Sequence, residues 1–238
     1  MAKCLLSPAL SSSEEERGQA GCVFIAASRC ARRTPQAFPS LIQPLAAPIL
    51  GRVLTLISGT NRPGSNTRKV AAQVEEIYRS LGVPLAVLDL AKLPPEIFAA
   101  SSYGEKPKAF EPFAQGVLNA TGLIVVTPEY NGGMPGVLKY FIDMLKFPES
   151  FDRRPACFVG LSAGQWGALR PVEQLQMIFG YRNAFLYPDR VFLPGIGDLL
   201  GEDGRLTDAE LVKRLRAQAA GYVEFVEKLQ GVKLRQTG

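Results

Sequence analysis

"GLIVVTPEY", residues 122–130, is an apolar run with no polar interruption before Thr127, closed by a proline. A strand of that kind suits the middle of a parallel sheet, where both faces are covered. Working outward from it, "RVLTLIS" (52–58), "LAVLDL" (85–90) and "PACFVGLSAG" (155–164) read as further strands, and "AFLYPDRVFLP" (184–194) as a fifth that is broken. Helical spacing fills the intervals. Val70, Val74, Ile77, Tyr78 and Leu81 form one apolar face of a helix that starts near Asn66, and further helices are expected near 107–119, 135–147 and 167–181. A last helix opens at Thr207 with "TDAE", a capping box in which Thr207 and Glu210 would satisfy each other's amides. Its buried side would carry Leu211, Leu215, Tyr222, Val226 and Leu229. Five strands alternating with helices predict an α/β fold with a doubly wound, five-stranded parallel sheet in three layers, over residues 50–235.

Residues 1–49 differ in kind. They hold "SSSEEERGQ" and "SRCARRTPQAFPS", five prolines and no sustained apolar period, and are expected to be a disordered extension. Glu14, Glu15 and Glu16 set this segment apart from the acid-poor composition of a targeting peptide. The most apolar stretch, "LIQPLAAPILGRVLTLI", is broken by Pro44, Pro48 and Arg52, so no membrane span is expected. Net charge is +5, but the 27 basic residues are scattered and lack the aromatic interleaving of a nucleic-acid surface. The chain has no histidine, which excludes histidine bases, Ser-His-Asp and Cys-His nucleophiles and histidine-ligated zinc. Its four cysteines include no CxxC pair, so no metal site is expected, and Cys157 in "ACFVGLS" reads as a small buried hydrophobe.

In doubly wound sheets, ligands bind beyond the carboxyl ends of the strands, which directs attention to the loops after strands one, three and four. The first, within "LISGTNRPGSNTRKVA" (56–71), offers the polar groups of Ser58, Thr60, Ser65, Asn66 and Thr67 and the cation of Arg62. The free amides and positive dipole end of the following helix point into the same space, an arrangement suited to a phosphate monoester. A plain helix cap would need only Ser65 or Asn66. In the second, "TPEYNGGMPGVLK" (127–139), Pro128 and the Asn131-Gly132-Gly133 turn bend the chain directly after the strand, and Tyr130 offers a flat face. A planar ring could lie there, and a simple turn would look similar. In the third, "LSAGQWGALR" (161–170), Ser162, Ala163 and Gly164 permit close contact, and the lone Trp166 either faces the site or packs the next helix.

A phosphate site and a flat-ring site on a flavodoxin-like sheet suggest FMN. "SGTNRPGSNTRKVA" followed by "TPEYNGGMPGVLKYFIDML" resembles the NADPH-dependent FMN reductase family, and the likeness runs over about residues 52–230. That resemblance implies a phosphate loop at Arg62, Ser65, Asn66 and Thr67. It also implies a ring-contacting segment at Pro128, Glu129, Tyr130 and Asn131, and a third flavin loop at Ser162, Ala163 and Gly164. The backbone of Gly132 belongs with the second group. It further implies NADPH as electron donor, a homodimer or homotetramer with the helix after the second motif at the interface, and a cytoplasmic location. One departure is Gln165-Trp166, where relatives are richer in glycine.

Cofactor chemistry makes the missing histidines intelligible, because a flavin needs no side-chain nucleophile or base. No catalytic side chain is therefore expected, and Glu129 reads as a structural or solvent-facing carboxylate. The acceptor would be a flavin, a quinone or a related small molecule. A flavodoxin-type carrier, binding FMN without oxidising NADPH, is the alternative, although such carriers usually present an acidic face.

Overall fold

The computed structural model describes residues 53–83 and 85–235, so the reading of 1–49 as an extension lies outside the described residues. Strands β1 (Val53–Ser58), β2 (Leu85–Asp89), β3 (Ala120–Pro128), β4 (Pro155–Leu161) and β5 (Phe185–Leu193) pair in parallel in the order β2-β1-β3-β4-β5. The run that suggested a central strand is β3, every residue of which is buried between β1 and β4. Its side chains alternate across the sheet. Ile124 and Val126 join a core with Val70, Val74, Tyr222 and Val226, while Leu123 and Val125 join another with Phe141, Phe158, Leu175 and Phe179.

Helices α1 (Asn66–Ser80) and α6 (Ala209–Gln230) supply the first of these cores. The second is built by α2 (Glu111–Leu118), α3 (Gly136–Met144) and α4 (Leu169–Tyr181), while α5 (Ile196–Leu199) is a single turn after β5. The sheet thus lies between two helical layers. From β1 the chain leaves to one side for β2 and returns on the other as β3, which puts a crevice between the carboxyl ends of β1 and β3.

Three expectations require correction. The cap of α6 is Asp208, not Thr207: Asp208 Oδ1 accepts from the amides of Glu210 and Leu211 at 2.9 and 3.0 Å. Thr207 is already committed, since its hydroxyl and its amide both donate to the Leu199 carbonyl. Leu229, placed on the buried side of α6, is 43% exposed; the apolar stripe ends at Val226, one turn before Gly231 closes the helix in the left-handed region. Finally, α3 ends at Met144, short of the expected 147. Tyr140 of this helix donates to the Ile97 carbonyl at 2.7 Å and packs against Phe98 and Tyr103 of the β2–α2 connection.

The fifth strand is broken, as its sequence suggests. Pairing of Ala156 with Leu186 jumps to Phe158 with Arg190, so Tyr187, Pro188 and Asp189 together face Cys157. Pro188 has no N–H to give the ladder. The buried Gln218 of α6 closes the gap, its amide donating to the carbonyls of Phe158 and Asp189, each at 2.9 Å.

Beside this bulge lies a buried group of phenols and a thiol. Tyr78 Oη is 3.9 Å from Cys157 Sγ, and Tyr222 donates to the Leu123 carbonyl at 2.9 Å. Burial, and secondarily the neighbouring Cys157, pushes both phenols well above their ordinary value, and burial likewise pushes the Cys157 thiol up. Because the folded state holds these groups neutral while the unfolded state ionises them at ordinary values, their contribution is complete below the thiol range, about 8.5. It is lost as pH climbs through that value and through about 10, where free tyrosine ionises. Urea midpoints measured from pH 7 to 11 should therefore hold to about pH 8 and then fall, with Tyr78→Phe flattening the descent above pH 10. A midpoint that rises above pH 9 would contradict this.

Candidate functional site

β1 ends in Ser58, whose hydroxyl is buried and has no hydrogen-bond partner among the described residues. The chain then crosses close over β3. Gly59 donates its amide to the Val126 carbonyl at 2.8 Å, and a Cβ there would lie 2.9 Å from that oxygen and 3.0 Å from Leu138 Cδ2, so a side chain does not fit. Asn61, Arg62, Pro63 and Gly64 are exposed, with Gly64 turning the chain at φ +63°. Ser65 caps α1, its Oγ accepting from the Arg68 amide at 3.2 Å. Helix geometry leaves the amides of Asn66 and Thr67 without an intrahelical acceptor, facing the mouth of the loop.

β3 passes into a tight hairpin turn. Tyr130 and Gly133 exchange both backbone hydrogen bonds, at 2.9 and 3.0 Å, around Asn131 at φ +51° and Gly132 at φ +75°. Two consecutive positive φ values define the type I′ turn for which Asn-Gly is the favoured pair. Glu129, one residue earlier, donates its amide to the Leu161 carbonyl at 3.1 Å and so ties this turn to the end of β4.

The third loop is fixed from the far side. The Ser162 hydroxyl donates to the Gly164 carbonyl at 2.8 Å, and the amides of Gly195 and Ile196 donate to the carbonyls of Gly164 and Ser162. Gly167 and Ala168 are both left-handed, at φ +58° and +70°, which turns the chain sharply into α4. Trp166 is 55% exposed.

These loops meet. Thr60 Oγ1 and Tyr130 Oη share a hydrogen bond of 2.8 Å across the crevice between β1 and β3. Thr60 is thus a strut whose hydroxyl also accepts from the Arg62 amide, not a free donor, and Tyr130 has its ring orientation set by it. Among the residues singled out in the sequence, Arg62, Tyr130, Asn131, Gly132, Ala163 and Gly164 are exposed along one edge, with Asn66 and Glu129 half-buried beside them. Ser58, Thr60, Ser65, Thr67, Pro128 and Ser162 are buried and act as the wall behind. A Cβ added to Gly64, Gly132 or Gly164 would meet nothing within 4 Å, so each of the three loops has backbone with open space beside it.

Sequence reasoning missed two residues, both on α4. Arg170 Nη1 stands 3.6 Å from Glu129 Oε1, and Gln174 Oε1 accepts from the Met134 amide at 2.9 Å. Neither carried a signal in the sequence, because the partner of each is distant along the chain.

A sheet ordered β2-β1-β3-β4-β5 with open loops at the β1/β3 crevice defines a flavodoxin-like protein. Among solved structures, the flavoenzyme NAD(P)H:(acceptor) oxidoreductase of Paracoccus denitrificans shares this fold, with a TM-score of 0.63 at 20% identity over 75% of this chain and 98% of that one. Residues 52–197 match the model of the NADPH-dependent FMN reductase family, and the chain belongs to that family. Relatives include an NAD(P)H-dependent FMN reductase of Pseudomonas aeruginosa, 28% identical over 74% of this chain and 95% of the relative. A quinone reductase of Escherichia coli is 27% identical over 75% and 97%. An NADPH azoreductase of a Bacillus species is 28% identical over 74% and 97%. The protein is accordingly an NAD(P)H-dependent oxidoreductase with FMN as its cofactor.

Proposed function

We propose that the crevice holds FMN with its phosphate at the start of α1, and that the protein delivers electrons from NADPH to a quinone, flavin or related small acceptor. The observation that carries this reading is the meeting of an anion-binding helix start with open backbone from three loops, joined by the Thr60–Tyr130 bond. The residues fit the cofactor. The amides of Asn66 and Thr67 and the Arg62 guanidinium suit a dianion, and the orphaned Ser58 hydroxyl is a buried donor at the adjoining strand end. The exposed backbone of Asn131, Gly132, Ala163 and Gly164 suits the edge of a flat heterocycle, with Pro128, Glu129, Tyr130 and Ser162 as its supports.

FMN, when bound, supplies the hydride and electron chemistry. The chain's own contribution is placement and electrostatics: fixed amides of the hairpin turn oppose negative charge on the ring system, in the manner of other preorganised dipoles. Glu129 is engaged by Arg170 and is given no role as a base.

Support for the finer expectations is of different kinds. Among the described residues no helix is long and apolar enough to cross a membrane, and the cytoplasmic location rests on the family resemblance. Phe147, Met177 and Tyr181 are 64, 70 and 82% exposed, which accords with assembly into a homodimer or homotetramer.

Full-length protein, saturated with FMN and freed of excess, should retain a flavin spectrum. It should bleach with NADPH in the absence of oxygen and recover its colour on adding a benzoquinone. Failure to retain flavin would overturn the site, and retention without bleaching would indicate the electron-carrier alternative.

A further inference from the structure

The hairpin turn is held at both ends by one helix. Arg170 grips Glu129 on the entering side, at 3.6 Å, and Gln174 grips Met134 on the leaving side, at 2.9 Å. The two grips are four residues apart, one helical turn, so they stand on the same face of α4. Between them lies the type I′ turn, whose inner residues Asn131 and Gly132 have no other tie to the rest of the chain among the hydrogen bonds of the described residues. The Gln174 contact is specific in its chemistry. The backbone N–H of Met134 needs an acceptor, and the side-chain oxygen of Gln174 is its partner.

We infer that Gln174 is a positioning residue for the flavin: by accepting from the Met134 amide it fixes the Asn131-Gly132 turn, and through that turn sets how tightly FMN is held and at what potential it works. This rests on the placement of the ring along residues 128–132 proposed above. Met134 itself is half-buried and follows the turn directly, so loss of its anchor loosens the leaving end of the hairpin, which is then held by the Tyr130–Gly133 bonds alone, while the entering end stays on β4.

The test compares Gln174→Met, which keeps length but removes the acceptor, with Gln174→Glu, which keeps the acceptor oxygen. In apoprotein, hydrogen exchange at the Met134 amide should be slow in wild type and in Gln174→Glu and at least tenfold faster in Gln174→Met. In holoprotein, Gln174→Met should weaken FMN binding about tenfold, the effect of losing one half-buried hydrogen bond. If that loss falls on one redox form alone, the two-electron midpoint moves by about 30 mV. Gln174→Glu should stay within about twofold in affinity. Rapid exchange at Met134 in wild type, unchanged affinity and potential in Gln174→Met, or equal damage from Gln174→Glu would each overturn the inference. Should Gln174→Met not fold, Gln174→Leu, which also lacks the acceptor, takes its place in both measurements. A wild-type protein that retains no FMN would instead overturn the underlying site, a separate result read before any variant is made.

Discussion

Ser65→Asp should fold as well as the parent and lose FMN. Aspartate is as good a helix cap as serine, so its carboxylate can accept from the Arg68 amide as Ser65 Oγ does. A further negative charge roughly 4 Å from a bound phosphate costs at least about 4 kcal/mol, the figure for one pair of unit charges at the effective dielectric of a protein surface, which is about a thousandfold in affinity. Unfolding by urea and titration with FMN, run on the same sample, separate the two roles. If Ser65 were a cap and nothing more, the variant would bind FMN like the parent, and the proposed phosphate site would be lost. Riboflavin, which lacks the phosphate, provides a control, since its weaker binding should change much less.

Phe158→Ala should come close to unfolding the apoprotein. Phe158 is fully buried on β4, edge-on to Phe179 at 5.3 Å, and Phe179 is in turn edge-on to Phe151 at 4.7 Å. Truncating a phenylalanine in such a place costs about 3–5 kcal/mol, against a usual total of about 5–15 kcal/mol. FMN binds only the folded state, so at a hundred times its dissociation constant it should restore about 2.7 kcal/mol. Denaturant curves with and without flavin measure both quantities. A loss under 1 kcal/mol would mean that the aromatic cluster closes over the gap.

The strands could be read from the chain because each rested on a local cause. In "GLIVVTPEY" the apolar residues occupy both faces of the strand, so both must be covered, and the neighbouring strands then fall into place. Asn131-Gly132 likewise carries its turn type in its own backbone preference. The features that were not legible are set by distant partners. Thr207 looks like a cap until Leu199 takes its hydroxyl, and Asp208 then takes the role. Tyr140 is held by Ile97, Phe98 and Tyr103, none of them near it along the chain. Gln174 has no local signature at all, because the amide it serves is 40 residues away along the chain.

The break in β5 bears on how copies of this protein can meet. β5 is an outer strand of the sheet, and an outer strand with regular, vacant amides invites another chain to add itself, in solution or in aggregates. Tyr187, Pro188 and Asp189 bulge out of line there, and the Asp189 carbonyl is turned inward to Gln218, so no straight row of donors and acceptors is offered along that margin. Between Leu186 and Arg190 the strand offers no regular ladder to a neighbouring molecule, which disfavours polymerisation by strand addition through β5.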